Sequence, residues 1–160
     1  MKYLLIILLI ILITYVGRGL SRYYIDRHMF FVSCTEFLQH ILSNISFEKD
    51  KLPTIVRRYK LGCQNKVLVE ILSSYEKVIS KGETLQIDTR LLKEEEKEKI
   101  TNIFLRLGKA DFATEANNIE ISINQLKLYE DKARVERDKY SGFYTKMALL
   151  LGLALAVLLI

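Results

Sequence analysis

Two apolar blocks near the ends of the sequence constrain this chain more than any other feature. Residues 3–16 read YLLIILLIILITYV and residues 147–160 read MALLLGLALAVLLI, and neither block contains a charged side chain. Only Lys2, among all the charged residues, lies outside residues 18–146. A helix needs about 20 apolar residues to cross a bilayer. Extended inward to that length, the blocks predict transmembrane helices over residues 1–20 and 143–160.

The first block also has the shape of a secretory signal peptide, because a basic residue precedes an apolar core. The sequence that follows, from Thr14 to Arg18, lacks the small-x-small pattern of a cleavage site. We therefore expect the block to be retained as an anchor, and a cleaved signal peptide is the alternative.

The charges between the two blocks predict which side of the membrane the central region faces. Residues 18–146 contain 23 basic side chains, the total of 24 without Lys2, and 19 acidic side chains, a balance too even to indicate a nucleic-acid-binding protein. Short flanks rich in Lys and Arg remain in the cytoplasm, so residues 21–142 are predicted to form a cytoplasmic domain with both termini outside. These flanks can also attract anionic lipid head groups. The candidate lipid-flanking residues are Arg18, Arg22, Arg27, Lys139 and Lys146.

Helical periodicity dominates the central region, and no strand alternation of useful length occurs. The spacing predicts one helix continuing from the first block to Asn44 and a short helix with Pro53 in its first turn. Three more helices are predicted from Asn65 to Gly82, from Asp88 or Thr89 to Gly108, and from Asp111 into the second block. The predicted fold class is all-α, a cytoplasmic helical bundle between N-terminal and C-terminal transmembrane helices.

The last predicted helix carries two apolar stripes on different faces. A helix of this kind is expected to pack in a bundle rather than in a two-stranded coil. The first stripe contains Phe112, Ala116, Ile119, Ile123, Leu126 and Ala133, and the second contains Ile121, Leu128 and Val135.

The chain contains none of the motifs that commonly mark an enzyme. Phosphate-binding loops, dinucleotide fingerprints, zinc-protease motifs and nucleophile elbows are all missing from the sequence. Cys34 and Cys63 lack metal-site spacing and are typical of buried thiols in a reducing compartment. We therefore predict a non-enzymatic protein with no catalytic residues, cofactor, metal, small-molecule substrate or nucleic acid. Its helix surfaces would hold a partner at the membrane and raise that partner's local concentration.

Residues in both halves of the chain match one family pattern. In the C-terminal half these are Leu107, Gly108, Asp111, Ala133, Glu136, Lys139, Gly142 and Gly152. In the N-terminal half they are Gly17, an aromatic pair, Arg27, Phe37, Leu38, Ile41, Ile45 and Phe47. With these residues the chain resembles, over essentially its whole length, the stage III sporulation protein AB family of endospore-forming bacteria. It departs at residues 50–52, where the family has Thr-Pro-Leu, and between Gly82 and Gly108, a region that is shortened and lacks the usual tryptophan.

The resemblance implies a helical bundle similar to the cytoplasmic domain of the type II secretion inner-membrane platform protein. It also implies a role in the secretion-like channel complex that joins mother cell and forespore. The chain would lie in the outer forespore membrane and bind, on the mother-cell side, a secretion-type ATPase, stage III sporulation protein AA, and other proteins of the complex.

The surface that would face the ATPase is predicted at the turn that contains Gly108. Its candidate contact residues are Arg106, Gly108, Lys109 and Asp111. Gly108 and Asp111 have an alternative role, which is to end one helix and cap the next. A generic scaffold that binds anionic lipid through its basic flanks is the alternative function, and a membrane enzyme is a third.

Overall fold

The described residues form five helices. The computed structural model describes residues 2–47 and 52–159, without the side chains of residues 2–6, 9, 45–47, 112, 156, 158 and 159. Residues 2–47 and 52–159 contain no strand, so the predicted all-α fold is confirmed. The helices are α1 (Lys2–Phe47), α2 (Leu52–Gly62), α3 (Lys66–Lys81), α4 (Glu94–Arg106) and α5 (Phe112–Leu159).

The ends of α3 lie where the sequence predicted them. The Asn65 side chain accepts a hydrogen bond from the Leu68 N–H at 3.1 Å, which caps the first turn. At the other end Gly82 has the left-handed conformation, with φ of 68°, and its N–H donates to the Val78 carbonyl. Pro53 lies in the first turn of α2, also as predicted.

The predicted start of α4 was wrong. Thr89 accepts a hydrogen bond from the Leu91 N–H at 3.2 Å and so closes a local turn rather than a helix. The helix begins five residues later, at Glu94, where three consecutive glutamates favour the positive end of the helix dipole. The third of them, Glu96, accepts the Lys93 N–H at 2.9 Å.

The chain divides into two compact units. Unit 1 is Met1–His28 with Asp131–Ile160, and unit 2 is Met29–Glu130, so α1 and α5 contribute to both. The core of unit 2 is built around Phe104, whose ring stacks on Phe37 at 5.7 Å and meets the edge of Tyr75 at 5.2 Å. Other fully buried side chains of unit 2 include Phe30, Phe31, Leu38, Ile41, Ile55, Leu68, Leu72 and Ile100. These units leave the predicted domain boundaries at residues 20 and 143 untested.

Unit 1 is an antiparallel pair made by the first part of α1 and the last part of α5. A Cβ added to Gly17 would collide with the Cβ of Ala148, so the two helices approach closely at this position. Farther along the pair, a Cβ added to Gly152 would lie 3.5 Å from Cγ2 of Ile10. These two contacts show the antiparallel arrangement, since the residue numbers rise along α1 as they fall along α5.

The apolar ends of unit 1 expose many large apolar side chains. Among the described residues, however, no helix is both long enough and apolar enough to cross a membrane. The predicted spans over residues 1–20 and 143–160 therefore have no support from this structure, and parts of both fall on side chains outside the described set. The exposed apolar residues are Ile7, Leu8, Ile11, Leu12, Tyr15, Val16, Leu20, Met147, Leu149, Leu150, Leu151, Leu153, Leu155 and Val157.

The two stripes of α5 have different surroundings. Ile119, Ile123, Leu126 and Ala133 of the first stripe are buried as expected, while Phe112 has a side chain outside the described set. The second stripe does not pack within the chain, because Ile121, Leu128 and Val135 are 48%, 64% and 63% exposed. The expected packing of α5 in a helical bundle is confirmed along the first stripe, and the second stripe stays exposed within the chain.

Candidate functional site

The turn between α4 and α5 requires glycine at residue 108. Gly108 has φ of 77°, a left-handed conformation that side chains rarely adopt. A Cβ there would also lie 2.9 Å from Cδ2 of Leu52. Backbone hydrogen bonds from Leu107 to Phe104 and from Lys109 to Arg106, both 3.3 Å, close the turn.

A buried carboxylate holds the same turn from the side of α5. Glu115 accepts the Gly108 N–H at 2.8 Å with Oε1 and the Ala110 N–H at 3.4 Å with Oε2. Its own N–H donates to the Asp111 carbonyl at 2.8 Å. On the other side of the turn, the Tyr75 hydroxyl donates to the Leu107 carbonyl at 3.4 Å. Burial, followed by the charge of Glu115, raises the pKa of Tyr75.

Asp111 caps α5. Its Oδ2 accepts the Thr114 N–H at 3.3 Å, and this hydrogen-bonded environment lowers the pKa of the Asp111 carboxyl. Gly108 and Asp111 thus have the structural roles that were the alternative to partner contact. Arg106 and Lys109, the other two candidates, are exposed on either side of Gly108.

A cleft with a volume of about 220 Å³ lies between α4 and α5 next to this turn. Ile103, Leu107 and Ile119 are buried beneath it. The more exposed lining residues are polar or basic, apart from Ile121. Of the four residues predicted to contact the ATPase, Arg106 lines the cleft. The remaining lining residues are Lys99, Asn102, Glu115, Asn118, Ser122 and Gln125.

Sequence reasoning missed the role of Glu115. It lies four residues after the capping Asp111, in the first turn of α5, where a carboxylate is common on any exposed helix face. Its sequence signal is the seven-residue spacing from Gly108, which brings a first-turn side chain back to the N–H groups of the preceding loop. That spacing has meaning only once the turn geometry is known.

The basic residues that flank the apolar blocks all lie in unit 1. Arg18, Arg22, Lys139 and Lys146 are exposed, and the Lys139 ammonium lies 5.2 Å from the centre of the Tyr140 ring. Arg27 is different, because its side chain is 3% exposed and forms an ion pair with Glu136.

The neighbours of Arg27 form a small polar layer between the helices of unit 1. Nη1 of Arg137 lies 3.2 Å from Nδ1 of His28, which is also buried. Next to this layer, Tyr24 packs against Tyr140 and Tyr144 with ring centres 5.1 and 5.8 Å apart. Arg27 thus joins α1 to α5 instead of facing solvent.

The two cysteines are free and differ in exposure. Cys34 is buried in unit 2, and burial raises the pKa of its thiol to about 12, while Cys63 is half-buried. In the described part of the chain, no group of three or more His, Cys, Asp or Glu side chains is placed to hold a metal ion.

Comparison with known proteins agrees with the residue pattern. No curated protein and no solved structure matches the chain. The family model described as stage III sporulation protein AB matches residues 2–160, which is essentially the whole chain. The chain therefore belongs to the stage III sporulation protein AB family.

Proposed function

We propose that this chain is a membrane-anchored platform that holds a secretion-type ATPase at the channel complex between mother cell and forespore. Membership of the family gives the chain a role in sporulation. The membrane anchors, the ATPase and the location in the outer forespore membrane are the parts that we propose.

One observation carries the membrane part of the proposal, namely the register of the helix pair in unit 1. Arg18 is the first charged residue after the first apolar block, and Lys146 is the last one before the second block. Because Gly17 faces Ala148, these two residues lie at nearly the same height along the helix pair. On the apolar side of that level, large apolar side chains of both helices face outward. A lipid environment would cover them at a common boundary.

The apolar part of the helix pair is shorter than the hydrocarbon core of a bilayer. A helix of the length of residues 3–16 extends about 21 Å, whereas the hydrocarbon core of a bilayer is about 30 Å thick. Local thinning of the bilayer, with the long side chains of Arg18 and Lys146 reaching to the head groups, would reconcile the two lengths.

The ATPase part of the proposal is supported by the resemblance and by the exposed side chains next to the Gly108 turn. A binding role fits a sequence that has no phosphate loop, so ATP hydrolysis is assigned to the partner. The basic flanks favour a central region on the mother-cell side, which is where an ATPase would find its nucleotide.

The test uses the full-length chain with an affinity tag in a sporulating strain. We expect the secretion-type ATPase to co-purify from detergent-solubilised membranes, and a deletion strain to lose heat-resistant spores. Absence of the ATPase from the purified material, together with a normal count of heat-resistant spores in the deletion strain, would sink the proposal.

The exposed basic residues Arg18, Arg22, Lys139 and Lys146 favour a second function, that of a scaffold for anionic lipid. This function predicts that neutralising all four with glutamine abolishes sporulation while ATPase recovery is unchanged. The platform function predicts that sporulation follows ATPase recovery instead.

A further inference from the structure

We propose that the cleft between α4 and α5 is the docking site for the partner, and that the partner supplies an acidic segment carrying an apolar anchor side chain. This inference rests on the proposed function, because it assigns a surface and a chemistry to the ATPase interaction. It replaces the Gly108 turn with the cleft beside it as the contact surface.

The shape of the cleft favours a short segment. Lys99 and Arg106 are seven residues apart on α4, which places them about 10 Å apart along the helix axis. Ile121 borders the opposite wall and is 48% exposed, and Ile103 and Ile119 lie below. An apolar side chain placed against Ile121 would bury surface that is now in contact with water.

The charge of the cleft selects an acidic partner. Its charged lining residues are Lys99, Arg106 and Glu115. Both carboxylate oxygens of Glu115 accept backbone N–H groups of the turn, and the side chain is buried, so this charge is directed inward. The two cations are exposed at the rim, where they attract carboxylates and accelerate association.

The amide and hydroxyl groups of the lining fit a peptide rather than a lipid or a nucleic acid. Asn102, Asn118 and Gln125 are exposed at the cleft and can donate to and accept from a peptide backbone. A phosphate backbone would require a wider basic surface than two cations provide.

The experiment measures binding of the purified ATPase to the full-length chain in detergent micelles. We expect the double variant Lys99→Glu/Arg106→Glu to raise the Kd by about a hundredfold or more and Ile121→Ser to raise it by about tenfold. Two control variants change charge and apolar surface elsewhere: Lys77→Glu reverses one charge on α3, and Leu128→Ser removes an exposed apolar side chain two turns farther along α5. Both control positions are exposed, so binding should stay within about twofold of wild type.

A photocrosslinker at Ser122, inside the cleft, identifies the chemistry of the segment. The inference expects the crosslinked partner peptide to contain carboxylates next to an apolar residue. If wild type binds the ATPase but the cleft variants bind equally well, or if the crosslinked peptide is basic, the inference is overturned and the proposed function stands. If wild type does not bind the ATPase, the proposed function fails and the docking site falls with it.

Discussion

At the scale of single residues, the turn between α4 and α5 shows how one backbone conformation organises several side chains. Gly108 takes a left-handed conformation and donates its N–H to Glu115, and a Cβ at this position would collide with Leu52. The Gly108 and Asp111 positions could be predicted from the sequence, because glycine and aspartate have strong preferences at helix ends. Glu115 could not, since its seven-residue spacing from Gly108 has meaning only once the geometry of the turn is known.

Replacing Gly108 with alanine should destabilise unit 2. The left-handed conformation and the contact with Leu52 together cost about 1–3 kcal/mol. Gly62→Ala is the matched control, because a Cβ there meets nothing within 4 Å and the φ angle is not positive. Thermal unfolding of the full-length chain measures both variants. Equal melting temperatures for the two would contradict the turn geometry.

The buried thiol of Cys34 predicts a loss of stability at high pH. Burial, followed by the nearby Cys63, raises its pKa from 9.0 to about 12, so the folded chain holds this proton more tightly than the unfolded chain does. This contribution is complete below pH 9 and is lost as the pH rises toward 12. Tyr59 and Tyr75, whose pKa values burial also raises, act in the same direction.

Denaturant unfolding of the full-length chain between pH 8 and pH 11 tests this. We expect the free energy of unfolding to fall above pH 9, and to fall less steeply in Cys34→Ala. A slope that is the same with and without Cys34 would show that the thiol is not buried in solution.

At the scale of helices, sequence reasoning succeeded where strong local signals mark the ends. Asn65 and Gly82 define α3 because both the cap side chain and the left-handed glycine act within one turn. It failed at α4, where Leu91 and Leu92 continue the apolar pattern although Thr89 closes a separate turn. For the second stripe of α5, periodicity identified an apolar face but could not say whether another helix of the chain covers it.

The close approach of α1 and α5 in unit 1 predicts an effect of a larger side chain at Gly17. Gly17→Val should push the helices apart and destabilise the pair by about 1–3 kcal/mol, as overpacking does elsewhere. Gly19→Val is the control two residues away, where a Cβ meets nothing within 4 Å. Proteolysis of the full-length chain in membranes would report the difference. Similar resistance in both variants would argue against this packing.

At the scale of the whole molecule, the sequence indicated the fold class and the family but not the contents of each unit. The apolar blocks and the basic flanks are local features of composition, so they can be identified directly from the sequence. Arg27 was grouped with the lipid-flanking residues because charge alone was visible, whereas the structure pairs it with Glu136 on a helix more than a hundred residues away. Long-range partners of this kind depend on the packing of α1 against α5, which no local pattern encodes.

The burial of Cys34 also decides how membrane topology should be measured. A thiol that is protected by the fold cannot report which side of a membrane it faces, so exposed reporters are needed. Lys77→Cys places a thiol on the exposed side of α3 in unit 2. Lys2→Cys places one beyond the apolar block, where the charge pattern predicts the outside.

The central claim is that the chain crosses the membrane with unit 2 on the cytoplasmic side. The most direct test is to label these two reporter cysteines in intact vegetative cells that express the full-length chain. An impermeant maleimide should label Lys2→Cys in intact cells and Lys77→Cys only after the membrane is opened. Labelling of Lys77→Cys from outside would show the opposite topology, in which unit 2 could not contact a cytoplasmic ATPase. Protection of both reporters in intact cells would contradict membrane crossing itself.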